Sequence, residues 1–473
     1  MIIKRRGVPR ERKRIPVGIT VFLLLTLILF ARFACLPDVF VYAEKPWPET
    51  AADAAVLIDA KSGAVLYDKN MHKPKYPAST TKVLTGLLAV ENLDFSGVVT
   101  IDAETPFTKG SRIYLLEGER VTVEQLFNAM LVESANDAAV AIAREISGSV
   151  EAFAGLMNQR AKELGALNTH FVNPNGLENE EHTTSPYDLA LFAVEAMKHE
   201  KFRKAVSTYH YYMPPTNLQD ERFLYNSNRL LYDESRKVIY EGQLRPCKYE
   251  GVTGIKTGYT AQAGSCLVAG AERDGMELIA VIMESPGNNL YSDAISLLEY
   301  GFADYKSLQA FEAGTAQDVQ NVKRGAVRTV RTETGASSWI TLPVSANADE
   351  LSIEPVYNEN LRAPINKGDQ VGEIAAYYKG EKLGDAIIVA SETVSEGGFL
   401  SIFGVPDAVA LWLGAILAGV FFLLFFAAAI FILLKRRQIR HRKRRRKERA
   451  ARYAHRRKEE EDFLRDIKGR TDV

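Results

Sequence analysis

Apolar positions follow three regimes along the chain. From about residue 50 to 305, short apolar runs alternate with helically spaced stretches. Ala54-Ala55-Val56-Leu57-Ile58-Asp59 reads as a buried strand, Asp59 to Gly63 as a turn, and Ala64 to Tyr67 as a second strand completing a hairpin. Val83, Leu84, Leu87 and Leu88 recur at helical spacing, which predicts a helix starting near Ser79, with Pro77 suiting a turning entry. Leu126, Phe127, Met130 and Leu131 mark an amphipathic helix over 121–131, and Asp137 suits the N-cap of an Ala-rich helix over 138–146. Further helices are predicted over 152–164, 186–197 and 292–302. Strands are predicted over 254–260, 266–271 and 277–283, the last two joined through Asp274-Gly275. Strands at both ends with helices between them imply an α/β fold, an antiparallel sheet with a helical subdomain.

After Lys306 the pattern shortens. Runs at 319–322, 327–332, 339–342, 351–355, 370–378 and 386–389 predict a small all-β sandwich over 306–400, followed by a linker at 401–407. Residues 408–434 carry no charged side chain. As a helix this stretch is about 40 Å long, enough to span a bilayer, and Lys435-Arg436-Arg437 stops it. At the other end, the apolar run from Val17 to Phe30 is shorter than the roughly 20 residues of a span. With its basic start and Val41-Tyr42-Ala43 behind it, residues 1–43 read as a signal peptide; an uncleaved anchor is the alternative. Residues 44–305 are then the main domain.

Composition adds little: 47% hydrophobic and 25% charged residues describe an ordinary globular chain of 473 residues. Charge adds more. The formal net charge is zero, yet residues 1–14 carry +6 and residues 435–473 carry +11, leaving 15–434 at −17. Basic ends beside apolar segments follow the positive-inside rule, which places the folded domains outside and the basic tail in the cytosol. An acidic centre argues against a nucleic-acid partner. The tail's own partner is left open, as a disordered segment or as a helix on anionic lipid.

Of three cysteines, Cys35 lies in the leader and Cys266 reads as a buried strand residue. Two remaining cysteines are too few for a disulfide framework, although a Cys247–Cys266 pair is open. The seven histidines show no metal-ligand spacing, and no cofactor is implied.

Candidate chemistry starts at Ser79-Thr80-Thr81-Lys82. Residues i and i+3 share a helix face, so Ser79 and Lys82 point the same way. An amine whose pKa is lowered by burial or by cationic neighbours can take the serine proton. A capping serine followed by a surface lysine is the plainer reading of the pattern alone. Ser134-Ala135-Asn136 falls between two buried helices, and Lys256-Thr257-Gly258 falls on a strand. Ser-x-x-Lys, Ser-x-Asn and Lys-Thr-Gly in this order form a far more specific set than any one of them.

The set is the signature of the penicillin-recognising serine enzymes. Pro77 to Lys82, Glu133 to Ala139, Phe171-Val172-Asn173-Pro174 and Gly254 to Gly258 resemble the low-molecular-mass D-alanyl-D-alanine carboxypeptidases over about residues 50–305. The β-rich stretch to about 400 resembles that family's C-terminal domain more loosely. The resemblance implies a serine-type carboxypeptidase that removes the terminal D-alanine from peptidoglycan stem peptides and is captured covalently by β-lactams. It implies Ser79 as nucleophile, Lys82 as base and Ser134 as proton relay, with Lys82 and Ser134 able to share the proton's path. Asn136 would orient Lys82 and bind the substrate amide. Lys256 and Thr257 would hold the free carboxylate, with Gly258, Tyr259 and Thr260 lining the strand on which the substrate lies. The oxyanion hole would be the N–H groups of Ser79 and Tyr259.

Two features depart from the family pattern. Ser227 lies between Asn226 and Asn228, where some relatives carry a basic residue, and Arg229 is a candidate substitute. A full span replaces the family's short amphipathic anchor. A class A-like β-lactamase is one alternative, but no Glu-x-x-Leu-Asn segment occurs between 137 and 254. A non-catalytic, membrane-tethered wall-binding protein is the other. His182 and Asp188 read as fold-shaping residues, not as triad partners of Ser79.

Overall fold

The computed structural model describes residues 47–468; the leader over 1–43 lies outside them. The chain opens with β1 (Ala54–Asp59) and β2 (Val65–Lys69), an antiparallel hairpin. A 3-10 turn, Ala78–Thr81, leads into α1 (Lys82–Asn92). The predicted helix start is therefore a tighter turn, with Lys82 as the first α-helical residue. Side chains at i and i+3 eclipse in a 3-10 turn, so Ser79 and Lys82 stand closer in line than on an α-helix.

Next come β3 (Val98–Thr100), β4 (Arg120–Thr122), α2 (Val123–Val132), α3 (Asn136–Ser147) and α4 (Val150–Glu163). Thr122 and Gln125 form a reciprocal capping box at the start of α2. Asp137 does not cap α3. It lies inside the first turn, fully buried, and accepts from the amides of Ile113 (3.2 Å) and Leu115 (3.1 Å). Its carboxylate clamps a passing strip of chain to the helix start, and the cap position falls to Ala135.

Helices α5 (Pro186–Met197) and α6 (Glu200–Ser207) follow, then the ribbons β5 (His210–Met213) with β6 (Arg222–Tyr225) and β7 (Lys237–Tyr240) with β8 (Gln243–Pro246). The main sheet is completed by β9 (Val252–Thr260), β10 (Gly264–Arg273) and β11 (Met276–Ser285), in the order β2-β1-β11-β10-β9, all antiparallel. The β10–β11 turn uses Asp274 and Gly275 at φ 50° and 79°, the left-handed pair of a type I′ hairpin.

Alternation along the sheet sorts side chains into two cores. Val56, Ile58, Ile279, Val281 and Met283 face the helices α1 to α6. Ala55, Leu57, Leu278, Ala280 and Ile282 face α7 (Leu290–Asp304) on the other side. A sheet covered on both faces explains why β1 reads as an unbroken apolar run.

Residues beyond α7 form β12 (Tyr305–Phe311), β13 (Ala316–Asn321), β14 (Thr329–Thr334), β15 (Ser338–Pro343), β16 (Leu351–Tyr357), β17 (Gln370–Tyr378) and β18 (Glu381–Ala390). The two layers are unequal: a five-stranded sheet, β13-β14-β18-β17-β16, and the pair β12–β15. A third apolar core, from Phe311 to Val394, lies between them. This part touches the main sheet at its hairpin turn, where the Thr341 hydroxyl donates to buried Asp59 at 2.6 Å.

The last helix, α8 (Asp407–Lys468), carries the apolar stretch and runs on through the basic tail. It is long and apolar enough to cross a membrane. Its first residue is fixed to the β-rich part: the Asp407 amide donates to the Ala326 carbonyl at 3.0 Å, and its carboxylate accepts from the Gly398 amide at 2.8 Å. Cys247 and Cys266 are buried free thiols, so the open disulfide pairing is not made.

Candidate active site

Lys82 is fully buried, and its Nζ has three oxygen neighbours: Ser79 Oγ at 2.9 Å, Asn136 Oδ1 at 2.6 Å and the Asn175 carbonyl at 2.9 Å. Burial holds its pKa well below the ordinary lysine value, and the charge of Lys256 adds to the effect; Asp137 opposes it. A neutral amine has two N–H donors and one lone pair. With the donors on Asn136 and Asn175, the lone pair faces the Ser79 hydroxyl, which then donates to it. Asn136 is itself fixed, because its Nδ2 donates to the Lys109 carbonyl (2.8 Å) and its amide to the Ser111 carbonyl (2.7 Å).

Three segments brace the turn that carries Ser79. Thr80 Oγ1 donates to Pro77 O at 2.7 Å, and Thr81 Oγ1 donates to Ala78 O at 2.9 Å. The loop 173–177 presses on the same carbonyl: a β-carbon on Gly176, at φ +81°, would fall 1.7 Å from Ala78 O. Behind Thr81 lies His182. The Val172 amide donates to its Nδ1 (3.1 Å), so its proton is on Nε2, which donates to Thr81 Oγ1 (2.9 Å). Burial pushes His182 down to about 3, keeping the ring neutral, and Phe171 stacks on it at 4.7 Å. Asp188 accepts from the Asn168 amide and the Thr169 hydroxyl. Both residues shape the fold, as the sequence reading holds.

On the other side of the cleft runs β9. Lys256 is buried, its Nζ donates to the Thr257 carbonyl at 3.1 Å, and burial pushes it down to about 7, opposed by the charge of Glu133. Thr257 shares a hydrogen bond with the hydroxyl of Ser227. A β-carbon on Gly258 would stand 2.9 Å from the Ser79 amide nitrogen, so the strand touches the nucleophile turn. Tyr259 is exposed, and Thr260 Oγ1 accepts from the Ala263 amide, which holds the turn after the strand. Ser134, in the connection between α2 and α3, has a left-handed conformation, φ 65°, with 9% of its surface accessible.

Arg229 does not replace the missing basic residue near Ser227. It pairs with Asp233 at 2.8 Å, and its backbone amide meets the Tyr291 hydroxyl. Asn226 and Asn228 are buried structural amides, donating to Thr208 O and Gly254 O. Two contributors escape a motif search. The Asn175 contact is through a backbone carbonyl, and Glu133 acts on Lys256 by charge. Position beside Asn173-Pro174 and beside Ser134 is the only trace either leaves in the sequence.

Comparison with known proteins identifies the family. Residues 41–287 match the family described as D-alanyl-D-alanine carboxypeptidase, and residues 305–396 match the C-terminal domain of penicillin-binding protein 5. The D-alanyl-D-alanine carboxypeptidase DacF of Bacillus subtilis is 34% identical over 74% of this chain and 87% of its own length. DacA of Haemophilus influenzae is 29% identical over 79% of this chain and 91% of its own. Among solved structures, penicillin-binding protein 5 of Haemophilus influenzae superposes with a TM-score of 0.63 at 29% identity, covering 74% of this chain and 99% of that one. Penicillin-binding protein 6B of Escherichia coli gives 0.55 at 26%, covering 73% and 97%. The fold, the length of the match and the relatives' degree of identity agree: this chain belongs to the D-alanyl-D-alanine carboxypeptidase family of serine peptidases.

Proposed function

We propose that this protein removes the terminal D-alanine from peptidoglycan stem peptides through an acyl-enzyme on Ser79. One observation carries the reading: Lys82 is buried, lowered in pKa and 2.9 Å from Ser79 Oγ. The Lys82 lone pair takes the hydroxyl proton as Oγ attacks the carbonyl carbon of the D-Ala–D-Ala bond. The oxyanion forms beside the N–H groups of Ser79 and Tyr259, where Gly258 leaves room for it. The proton held by Lys82 passes, directly or through Ser134, to the leaving amine, and D-alanine departs. Water then repeats the sequence on the ester and frees Ser79.

Lys256 and Thr257 receive the carboxylate of the departing residue. Lys256, pushed down to about 7, gains its proton fully when that carboxylate enters, because an opposite charge favours the ammonium form. A cationic clamp on a free carboxylate confines cleavage to a chain end. Asn136 orients Lys82 and offers its amide to the substrate backbone. A β-lactam acylates Ser79 by the same steps and is released slowly. Residues 44–305 are the catalytic domain and 306–400 a spacer that sets its height. Residues 408–434 span the membrane, with the catalytic domain outside and the basic tail in the cytosol.

Incubation of the purified chain with a pentapeptide muropeptide tests the reaction. Free D-alanine with a tetrapeptide product is expected. Products that are only cross-linked, or only cleaved at cross-links, overturn the carboxypeptidase reading. Fluorescent penicillin should label the wild type and not Ser79→Ala.

A further inference from the structure

The ribbon β5–β6 departs from the pattern that a half-buried ribbon follows. Its inward side chains, Tyr211, Met213 and Leu224, pack on the helical core. Its outward positions call for polar residues, yet they are His210, Tyr212, Phe223 and Tyr225. Tyr212, Phe223 and Tyr225 are each more than half exposed. Tyr209 and Tyr232 extend the series into one file of rings. Centroids run Tyr232–Tyr209 at 4.2 Å, Tyr209–Tyr225 at 6.0 Å, Tyr225–His210 at 4.7 Å, His210–Phe223 at 5.8 Å and Phe223–Tyr212 at 5.5 Å. Cross-strand stacking explains pairs of such rings. It does not explain a file that continues past the ribbon onto Tyr232, with so much apolar face left in water.

The file borders the cleft at Tyr225, the third of its six rings. The Tyr225 amide donates to Glu133 Oε2 at 2.9 Å, and Glu133 is the carboxylate whose charge acts on Lys256. The Asn226 amide donates to the Tyr209 carbonyl, and Ser227, next in sequence, bonds to Thr257. The hydroxyls of Tyr209, Tyr212 and Tyr225 have no hydrogen-bond partner among the described residues. The surface thus combines flat apolar faces with free hydroxyls at their rims. None of its six members is a lysine, an arginine or a carboxylate.

We propose that this file is a platform for the glycan strand that bears the stem peptide. Pyranose rings lie against the exposed aromatic faces, and the tyrosine hydroxyls bond to sugar hydroxyls and acetamido groups. The proposal rests on the reading of the cleft as a stem-peptide site: a stem is covalently joined to an amino sugar, so a surface continuous with the cleft meets the sugar chain. An uncharged file suits an amino-sugar polymer better than an anionic one.

The test uses the full chain in detergent with the double variant Tyr212→Ser/Phe223→Ser, whose side chains are exposed and outside the catalytic cleft. On pentapeptide stems carried by glycan strands, kcat/KM should fall about tenfold, through KM. On a free pentapeptide, and in penicillin acylation, the variant should stay within about twofold of the wild type. Equal losses on both substrates, or no loss on the glycan-borne one, overturn the platform while leaving the carboxypeptidase reading in place. A β-1,4-linked N-acetylglucosamine tetramer probes the surface without catalysis. A saturation-transfer NMR signal with the wild type that the variant loses supports the platform, and no signal with the wild type overturns it. Failure of the wild type to cut either peptide substrate would instead strike the reading of the cleft, and the tetramer experiment would still decide on the platform.

Discussion

Gly258 lies against Ser79 so closely that a β-carbon built on the glycine would stand 2.9 Å from the serine's amide nitrogen and 3.0 Å from the Pro77 carbonyl. The backbone there has nowhere to retreat, because β9 is paired along its length with β10 and the Ser79 turn is braced by Thr80 and Thr81. Gly258→Ala should therefore fold and fail. The methyl group displaces the strand from the turn and spoils the pair of N–H donors at the oxyanion. Acylation by fluorescent penicillin should slow by about 10²-fold, the scale of losing one such donor. A melting temperature close to that of the wild type, measured alongside, separates this from unfolding.

The two buried lysines give opposite limbs to the pH profile. Lys82 must be neutral to accept the serine proton, so activity rises as that amine is deprotonated. Lys256 must be charged to hold a carboxylate, and it is pushed down to about 7. KM for a peptide substrate should therefore climb above that pH while kcat changes less, read from steady-state kinetics across pH 5 to 10 at about unit intervals. Stability follows the same proton count. Between about pH 7 and 10 the unfolded chain holds a proton at residue 256 that the folded chain has released, so folding becomes more favourable as pH rises through that window. Lys256→Met should make this rise shallower by the share of residue 256, about 1 kcal/mol per pH unit, and leave the share of Lys82 in place. Thermal melts of both proteins at pH 7 and 9 check it, to about the width of the window.

His182 tests whether burial near a serine is enough to make a base. Its Nδ1 is occupied by the Val172 amide and its Nε2 faces Thr81, so no lone pair is aimed at Ser79. His182→Ala removes a stacked ring and the support of the Thr81 hydroxyl. It should cost about 3 kcal/mol of stability, in the range for truncating a buried aromatic group. Acylation should fall by no more than about tenfold, with the acid limb of the pH profile unmoved; a loss near 10⁴ would mark a triad base instead.

What the sequence could and could not reveal follows from how each residue works. Ser79, Lys82, Asn136 and Lys256 act through side chains in short motifs, and those motifs in their order carry the family resemblance that implies one cleft. Periodicity likewise gives the strands of the main sheet, since an unbroken apolar run such as Ala54–Ile58 needs cover on both faces. The ribbons β5–β6 and β7–β8, strand β12 and helix α6 leave no clear pattern in the sequence: they are short, and in the ribbons the exposed Tyr212, Phe223, Ile239 and Leu244 blur the alternation that would mark strands. Asp137 looks like a cap because caps are local. Its real partners, Ile113 and Leu115, are brought to it by the tertiary fold. Asn175 contributes a carbonyl that every residue type possesses, so its identity could not announce the contact.

The junction at Asp407 decides where the chain can be cut. Its amide and carboxylate join the start of α8 to Ala326 and Gly398, whereas the next residues make an exposed apolar helix. All three cores lie between residues 52 and 394. A chain ending at Ala408 keeps both contacts and every core residue while losing the span. It should leave the membrane fraction for the soluble one and take up fluorescent penicillin at the rate of the full chain. The full chain should resist extraction by alkaline carbonate, since 27 apolar residues buried in lipid far exceed what a surface helix contributes. On the proposed topology, its basic tail should be cut by protease only after cells are opened, because the positive-inside rule assigns the eighteen lysines and arginines beyond residue 434 to the cytosolic side. A tail digested on intact cells would reverse this topology, and a chain to Ala408 that stays with the membrane would show that the leader, uncleaved, also anchors the protein.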